Sequence, residues 1–210
     1  MLFRGLPLEY LIILIPVLLF SLCFHEFSHA FTAYKLGDNT AEKMGRLNIS
    51  PLNHLDPMGT MMLLFVGFGW AKPVPVNPYN LKNPKKDMML IAAAGPFSNL
   101  ILAFIGSLLL KYLPYNLISN LPEVFYLFIY INIALAIFNL IPLPPLDGSQ
   151  IISGLLPLNK HHLLDNINKY GPNILLGLIF LGIFTKINII HMIMSPFINF
   201  FMFIFLGQNV

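Results

Sequence analysis

The chain has 210 residues, of which 57% are hydrophobic and only 10% charged, and its mean hydropathy is +0.74. Soluble domains run near 25% charged, so twelve Lys and Arg with nine Asp and Glu cannot cover a water-facing surface, and the chain reads as an all-α integral membrane protein. The net charge of +3 is then an orientation signal in the bilayer rather than a nucleic-acid footprint, and the lone cysteine, Cys23, excludes an intrachain disulfide and a cysteine-based zinc finger.

The first apolar stretch, residues 8–31, is long enough to cross a core about 30 Å thick. Arg4 and the apolar run behind it imitate a signal peptide. No small-x-small cleavage site follows, and Leu22 is bulky where a lipoprotein signal wants a small residue. A retained transmembrane helix is expected. Residues 36–54 are polar and form a loop outside the membrane. Residues 57–70 are apolar but short and glycine-rich, and residues 71–87 are rich in proline and lysine. Residues 88–110 make a second span and 124–141 a third, which closes in Pro142-Leu143-Pro144-Pro145. A polar loop over 146–170 carries a short helix near 161–168. Two further apolar segments, 172–184 and 187–206, are divided by Thr185-Lys186, and the first is short for a span. About five to six membrane segments are expected. Residues 1–150 form the membrane-embedded core, and 151–210 a loop and C-terminal membrane helices of the same domain.

Within the first span stands His25-Glu26-Phe27-Ser28-His29. Residues four apart share one helix face, so both imidazoles can address one metal. Glu26 is placed beside the first of them, where its carboxylate can reach water at that metal. Ionisable groups in an apolar span are costly and functional by default, and three within five residues are hard to explain as packing. A catalytic zinc takes three protein ligands and keeps one open position. Cys23 falls on the wrong side of the helix for a third ligand, and Glu9 lies at the far end of the span. His54, His161 and His162 sit in loops where solvation accounts for them. His191 suits a core or headgroup position. Asp147, followed by Gly148 and preceded by helix-breaking prolines at the end of a span, is the best candidate, because broken backbone at membrane depth is tolerated where it lines a cavity.

Three blocks together resemble the site-2 protease family of intramembrane zinc metalloproteases, peptidase family M50. They are His25-Glu26-Phe27-Ser28-His29, Ala94-Gly95-Pro96-Phe97-Ser98-Asn99, and Asn139 through Pro142 to Asp147-Gly148. The stretch from Gly67 through Trp70, Pro73 and Pro75 to Pro78 is similar to that of compact bacterial and archaeal members. No interval is long enough for a PDZ insertion, so the resemblance is to the minimal subgroup. It implies one Zn²⁺ per chain on His25, His29 and Asp147, with Glu26 as general base. It also implies that Asn139 binds substrate or stabilises the oxyanion, and that Asn99 is a second functional asparagine.

A shared zinc also constrains topology. His25, His29 and Asp147 must lie at one depth, so the first and third spans run parallel and the second runs back. Residues 57–70 must then return to the side they left, as a short re-entrant β-like hairpin. Residues 66–76 are expected to offer a strand edge to an unwound substrate, since Pro73 and Pro75 suit an edge and not a helix interior. Nine of the twelve basic residues fall on the zinc side and three (Arg4, Lys111, Lys186) on the other, which puts the active site near the cytoplasmic face of the plasma membrane. The function implied is hydrolysis of a peptide bond in or near a transmembrane segment of a membrane-protein substrate. The lipid bilayer is the other partner, with no nucleic acid and no oligomeric state specified. The rival is a non-proteolytic membrane zinc protein, whether transporter, sensor or inactive scaffold. Transporters typically show repeats and polar residues on several spans, and pure zinc binding would not require Glu26.

Overall fold

A computed structural model describes residues 8–66, 69–113, 121–157, 162–185 and 187–207. Among them every regular element is helical. The order is α1 (Leu8–Lys35), the single turns α2 (Thr40–Lys43) and α3 (Pro51–His54), α4 (Pro57–Val66), α5 (Pro84–Tyr112), α6 (Leu121–Asn139), α7 (Asp147–Leu155), α8 (His162–Thr185) and α9 (Ile189–Leu206). Five of these, α1, α5, α6, α8 and α9, are long and apolar enough to cross a membrane.

Side-chain contacts fix how the first three spans run. Leu14 of α1 packs on Leu127 and Ile131 of α6, and further along both helices Ser21 meets Asn132. Residue numbers rise together, so α1 and α6 are parallel. Against α5 they run in opposition: Ser21 and His25 meet Asn99, while His29 meets Ile91. This is the up–down–up arrangement that a shared metal demands. α9 completes the bundle by burying Met194, Ile198 and Met202 against Ala103 of α5 and Ile129 and Ile133 of α6. The outward faces of α8 and α9 are rich in exposed Phe, Ile and Leu, as lipid-facing surfaces are.

The segment between α1 and α5 differs from the expected β-like hairpin. Residues 57–66 are a helix of ten residues, because Met and Leu dominate it and both are good helix formers. Asp56 starts it, accepting the Gly59 N–H at 2.7 Å. At 1.5 Å per residue the helix is about 15 Å long, half of a bilayer core. The chain returns at once. Leu55 and Ala71 form an isolated antiparallel bridge, and the main chain of Trp70 lies so close on Gly59 that a Cβ there would overlap the Trp70 carbonyl. Both ends of 56–70 therefore sit together, as a helix-and-return rather than two strands. Residues 67 and 68 lie outside the described part.

Two other elements depart from the sequence expectation. The short helix near 161–168 and the apolar segment 172–184 are one helix of 24 residues, α8, with Pro172 inside it. Its described part begins at His162, and His161 lies outside. Proline is a helix stop in water, but is tolerated in membrane helices where neighbours satisfy the freed carbonyl. The stretch after Pro145, expected as loop, opens with the amphipathic α7.

Candidate metal centre

His25 and His29 are one helical turn apart on α1, and both are buried. Their rings meet edge to face, with centroids 4.6 Å apart. The Nε2 atoms are 3.0 Å apart, and Asp147 Oδ2 lies 3.1 Å from His25 Nε2 and 3.4 Å from His29 Nε2. Asp147 reaches them because it is the first residue of α7 and the next residue is glycine. A Cβ at Gly148 would overlap the carbonyls of Leu140 and Ile141, so only glycine lets α7 start against the end of α6. One ligand atom from each of the three residues falls within 4.8 Å of the others.

The two Nδ1 atoms are committed elsewhere. His29 Nδ1 lies 2.7 Å from the Ile91 carbonyl, which can only accept, so Nδ1 carries the proton and Nε2 is the free lone pair. His25 Nδ1 lies 2.6 Å from Asn99 Oδ1. Two imidazole lone pairs and a carboxylate oxygen crowded this closely repel one another unless a cation sits between them, so the donor set fits a metal ion. Gly95 guards the spot: a Cβ there would overlap the Nε2 atoms of both histidines.

A cavity of about 670 Å³ opens on this cluster, lined by His25, Glu26, His29, Asn139 and Asp147. One wall is the run from Gly69 to Val76, another the α8 face from Pro172 to Ile179. Glu26 faces the cavity, and its Oε2 accepts the Val74 N–H at 3.2 Å. Asn139 lines it too, with Nδ2 donating to the Leu135 carbonyl at 3.0 Å. Asn99 lies behind the site: fully buried, it touches His25 rather than the cavity. Of the rejected ligand candidates, Cys23 is buried and His191 exposed, both away from the cavity. His54 is fully buried rather than solvated, donating from Nε2 to the Asn48 carbonyl at 2.6 Å.

The wall from Ala71 to Asn77 is a strap clamped at both ends. At one end Lys72 N–H donates to the His54 carbonyl at 2.8 Å and buried Arg46 donates to the Lys72 carbonyl at 2.7 Å. At the other, Asp38 accepts from Asn77 N–H and from the Asn80 amide, each at 2.7 Å. Burial alone would raise the Asp38 pKa, but hydrogen bonds from Thr40, Asn80 and the Asn77 and Thr40 main chain outweigh it and hold the carboxyl below its ordinary value. Ser21 and Asn132 are polar, fully buried and linked to Asn99. The sequence reading did not single them out, although a polar residue inside an apolar span is itself the signal.

The description of peptidase family M50 matches residues 13–123 and 115–183. The chain belongs to this family. It is 44% identical over 176 residues to "Putative zinc metalloprotease YwhC" of Bacillus subtilis, an alignment covering 80% of each chain. It is 34% identical over 155 residues to "Putative zinc metalloprotease Rip2" of Mycolicibacterium smegmatis, and 31% identical over 153 to the protein of the same name from Mycobacterium tuberculosis. Both of those alignments cover 68% of this chain and 58% of the relative. No solved structure matches. The resemblance drawn from the three sequence blocks is borne out, and with it the class of zinc-dependent metallopeptidase.

Proposed function

We propose that this M50 member is an intramembrane endopeptidase, hydrolysing a peptide bond in or beside a transmembrane segment of a membrane-protein substrate. The observation that carries it is the convergence of His25, His29 and Asp147 at the floor of a cavity walled by spanning helices, with Glu26 facing the same space. His25, His29 and Asp147 would hold one zinc per chain, which when bound supplies a Lewis acid for the attacking water and the scissile carbonyl. Glu26 takes the water's proton and returns it to the leaving amine. Asn139, held by its bond to Leu135, orients the substrate at the cavity wall.

The strap refines how an unwound substrate would be held. Its Lys72, Val74 and Asn77 N–H groups are already spent on His54, Glu26 and Asp38, and Pro73 and Pro75 have none. Apart from the Ala71 and Val76 N–H groups, the strap therefore offers mainly carbonyls, and the substrate supplies most of the donors, with apolar side chains against Trp70, Val74 and the α8 wall. The helix-and-return at 56–70 is re-entrant from the cytoplasmic leaflet of the plasma membrane, since the polar stretches 36–54 and 71–87 that flank it carry six of the twelve basic residues. Residues 1–150 and 151–210 act as one domain, since α8 closes the cavity that α1 and α7 open. The deciding experiment is cleavage of a model single-span substrate by purified protein in detergent. A product cut inside or beside the span, absent with Glu26→Gln, supports the reading, and full cleavage by that variant ends it.

A further inference from the structure

Four polar side chains form a buried line from α6 to the metal centre: Ser21, Asn132, Asn99 and His25. The orientation of each can be assigned without ambiguity, because main-chain carbonyls fix the ends. Ser21 Oγ–H donates to the Val17 carbonyl at 2.8 Å, so its oxygen is left to accept. Asn132 Nδ2 donates to that oxygen and to the Phe128 carbonyl, each at 2.9 Å. The Asn132 amide cannot be flipped without facing an oxygen against a carbonyl, so Oδ1 points to Asn99. Asn99 Nδ2 then donates to Asn132 Oδ1 at 2.9 Å and to the Ser21 carbonyl at 3.3 Å. Its Oδ1 is thereby turned to His25 Nδ1 at 2.6 Å. Every donor has an acceptor, and the direction runs one way.

Resting on the metal site proposed above, we infer that Asn132 and Ser21 are positioning residues, which hold the Asn99 amide so that His25 keeps its proton on Nδ1 and presents Nε2 to the metal. Without them Asn99 retains one anchor, the Ser21 carbonyl, and an amide turned over would donate to Nδ1 and drive the proton to Nε2. In that tautomer Nε2 has no lone pair to give. Partners of this kind behind a ligating histidine are typically worth about 10- to 100-fold in metal affinity. The buried line is also the one polar path linking α1, α5 and α6 among the described residues, so it sets the ligand on the rigid part of the bundle.

The test measures zinc affinity by chelator competition on purified protein. Asn132→Leu, which keeps the branching at Cγ but has no polar atoms, is expected to weaken zinc by about 10- to 100-fold. Asn99→Asp has no wrong orientation, since either carboxylate oxygen accepts from Nδ1. It should restore the affinity of Asn132→Leu when the two are combined. Loss in the single variant with recovery in the double one supports orientation, whereas loss in both means plain packing and overturns the proposal, as does unchanged affinity in folded Asn132→Leu. Should Asn132→Leu not fold, nitrogen chemical shifts of the zinc-loaded wild type decide: His25 with its proton on Nδ1 supports the proposal, and metal on Nδ1 overturns it. A wild type that takes up no zinc overturns the metal site itself, a result distinct from any of these.

Discussion

The main-chain N–H of Val74 donates to Glu26 Oε2 at 3.2 Å. Val74 belongs to the strap that walls the cavity, and Glu26 to the helix that carries both histidines. Whatever displaces the strap also frees or turns the carboxylate, so in the proposed mechanism substrate docking and the position of the proton acceptor are coupled through one hydrogen bond.

That bond can be removed by a substitution at Val74, whose side chain also lines the cavity and so needs its own control. Val74→Pro deletes the N–H, while Val74→Ala keeps it and trims the side chain. A hydrogen bond to a charged group is worth about 1.5–3 kcal/mol, of which a strap anchored at both ends recovers part. The expected result is a fall in kcat of about tenfold for Val74→Pro, with Val74→Ala changing mainly KM. Equal losses in the two variants would show that the side chain matters and the amide does not.

The other end of the strap gives a pH dependence with a definite sign. Asp38 binds its proton less readily folded than unfolded, because Thr40, Asn80 and Asn77 donate to its charged form. The unfolded chain therefore takes up more protons in acid. The stabilisation is complete above the ordinary carboxylate value near 4 and is lost as pH falls through the lower folded value. Thermal unfolding in detergent should drop below about pH 4 in the wild type. Asp38→Asn should begin lower at neutral pH, by about 1–3 kcal/mol for the broken charged network, and lose less in acid. A parallel pH profile for the two proteins would exclude Asp38 as the group responsible.

Orientation in the bilayer is testable by labelling. In a Cys23→Ser background, single cysteines at Asn83 and Leu155, both exposed and both at the metal end of the bundle, should react only from the cytoplasmic side. Tyr112, exposed at the opposite end of α5, should react only from outside. Labelling of Asn83 and Leu155 from opposite sides would contradict the parallel course of α1 and α6.

Much of this candidate site is legible in the sequence. The spacing of His25 and His29 states a helix face, and Asp147-Gly148 after a proline run states a broken chain at a span's end. The parallel course of α1 and α6 followed from requiring one metal. What escaped the sequence were relations set by packing. Asn99 reads as a site residue, yet it stands behind His25: it shares the α5 face that Met88 and Ala92 present to the cavity, but lies two turns further along from Ala92, where Ser21 and Asn132 enclose it. Residues 57–66 fold as helix, since Met and Leu composition outweighed the glycines. The expected β-like hairpin is replaced by a helix with its return strand of main chain laid on Gly59. His54, a loop histidine by sequence, is buried because Arg46 and Asn48 come from the same loop to meet it.

The sharpest separation of roles comes from three substitutions around the metal. Glu26→Gln is expected to keep zinc, since Glu26 touches Val74 and the cavity rather than the three-atom cluster, and to lose about 10²- to 10⁴-fold in cleavage because glutamine cannot take a proton at neutral pH. Asp147→Ala removes one of the three proposed ligands and its negative charge, so zinc per mole should fall along with cleavage. Gly95→Ala tests the geometry from the other side. It changes no ligand, but its Cβ would overlap both Nε2 atoms, in a bundle held by Asn99 and Ile91 on the same helix. Zinc should be lost here too, with the fold kept and the Nδ1 bonds to Asn99 and Ile91 under strain. Zinc content measured beside cleavage of a single-span substrate resolves the set. Full zinc in Asp147→Ala would remove Asp147 from the ligands, and full zinc in Gly95→Ala would mean that the metal sits elsewhere than between the two Nε2 atoms.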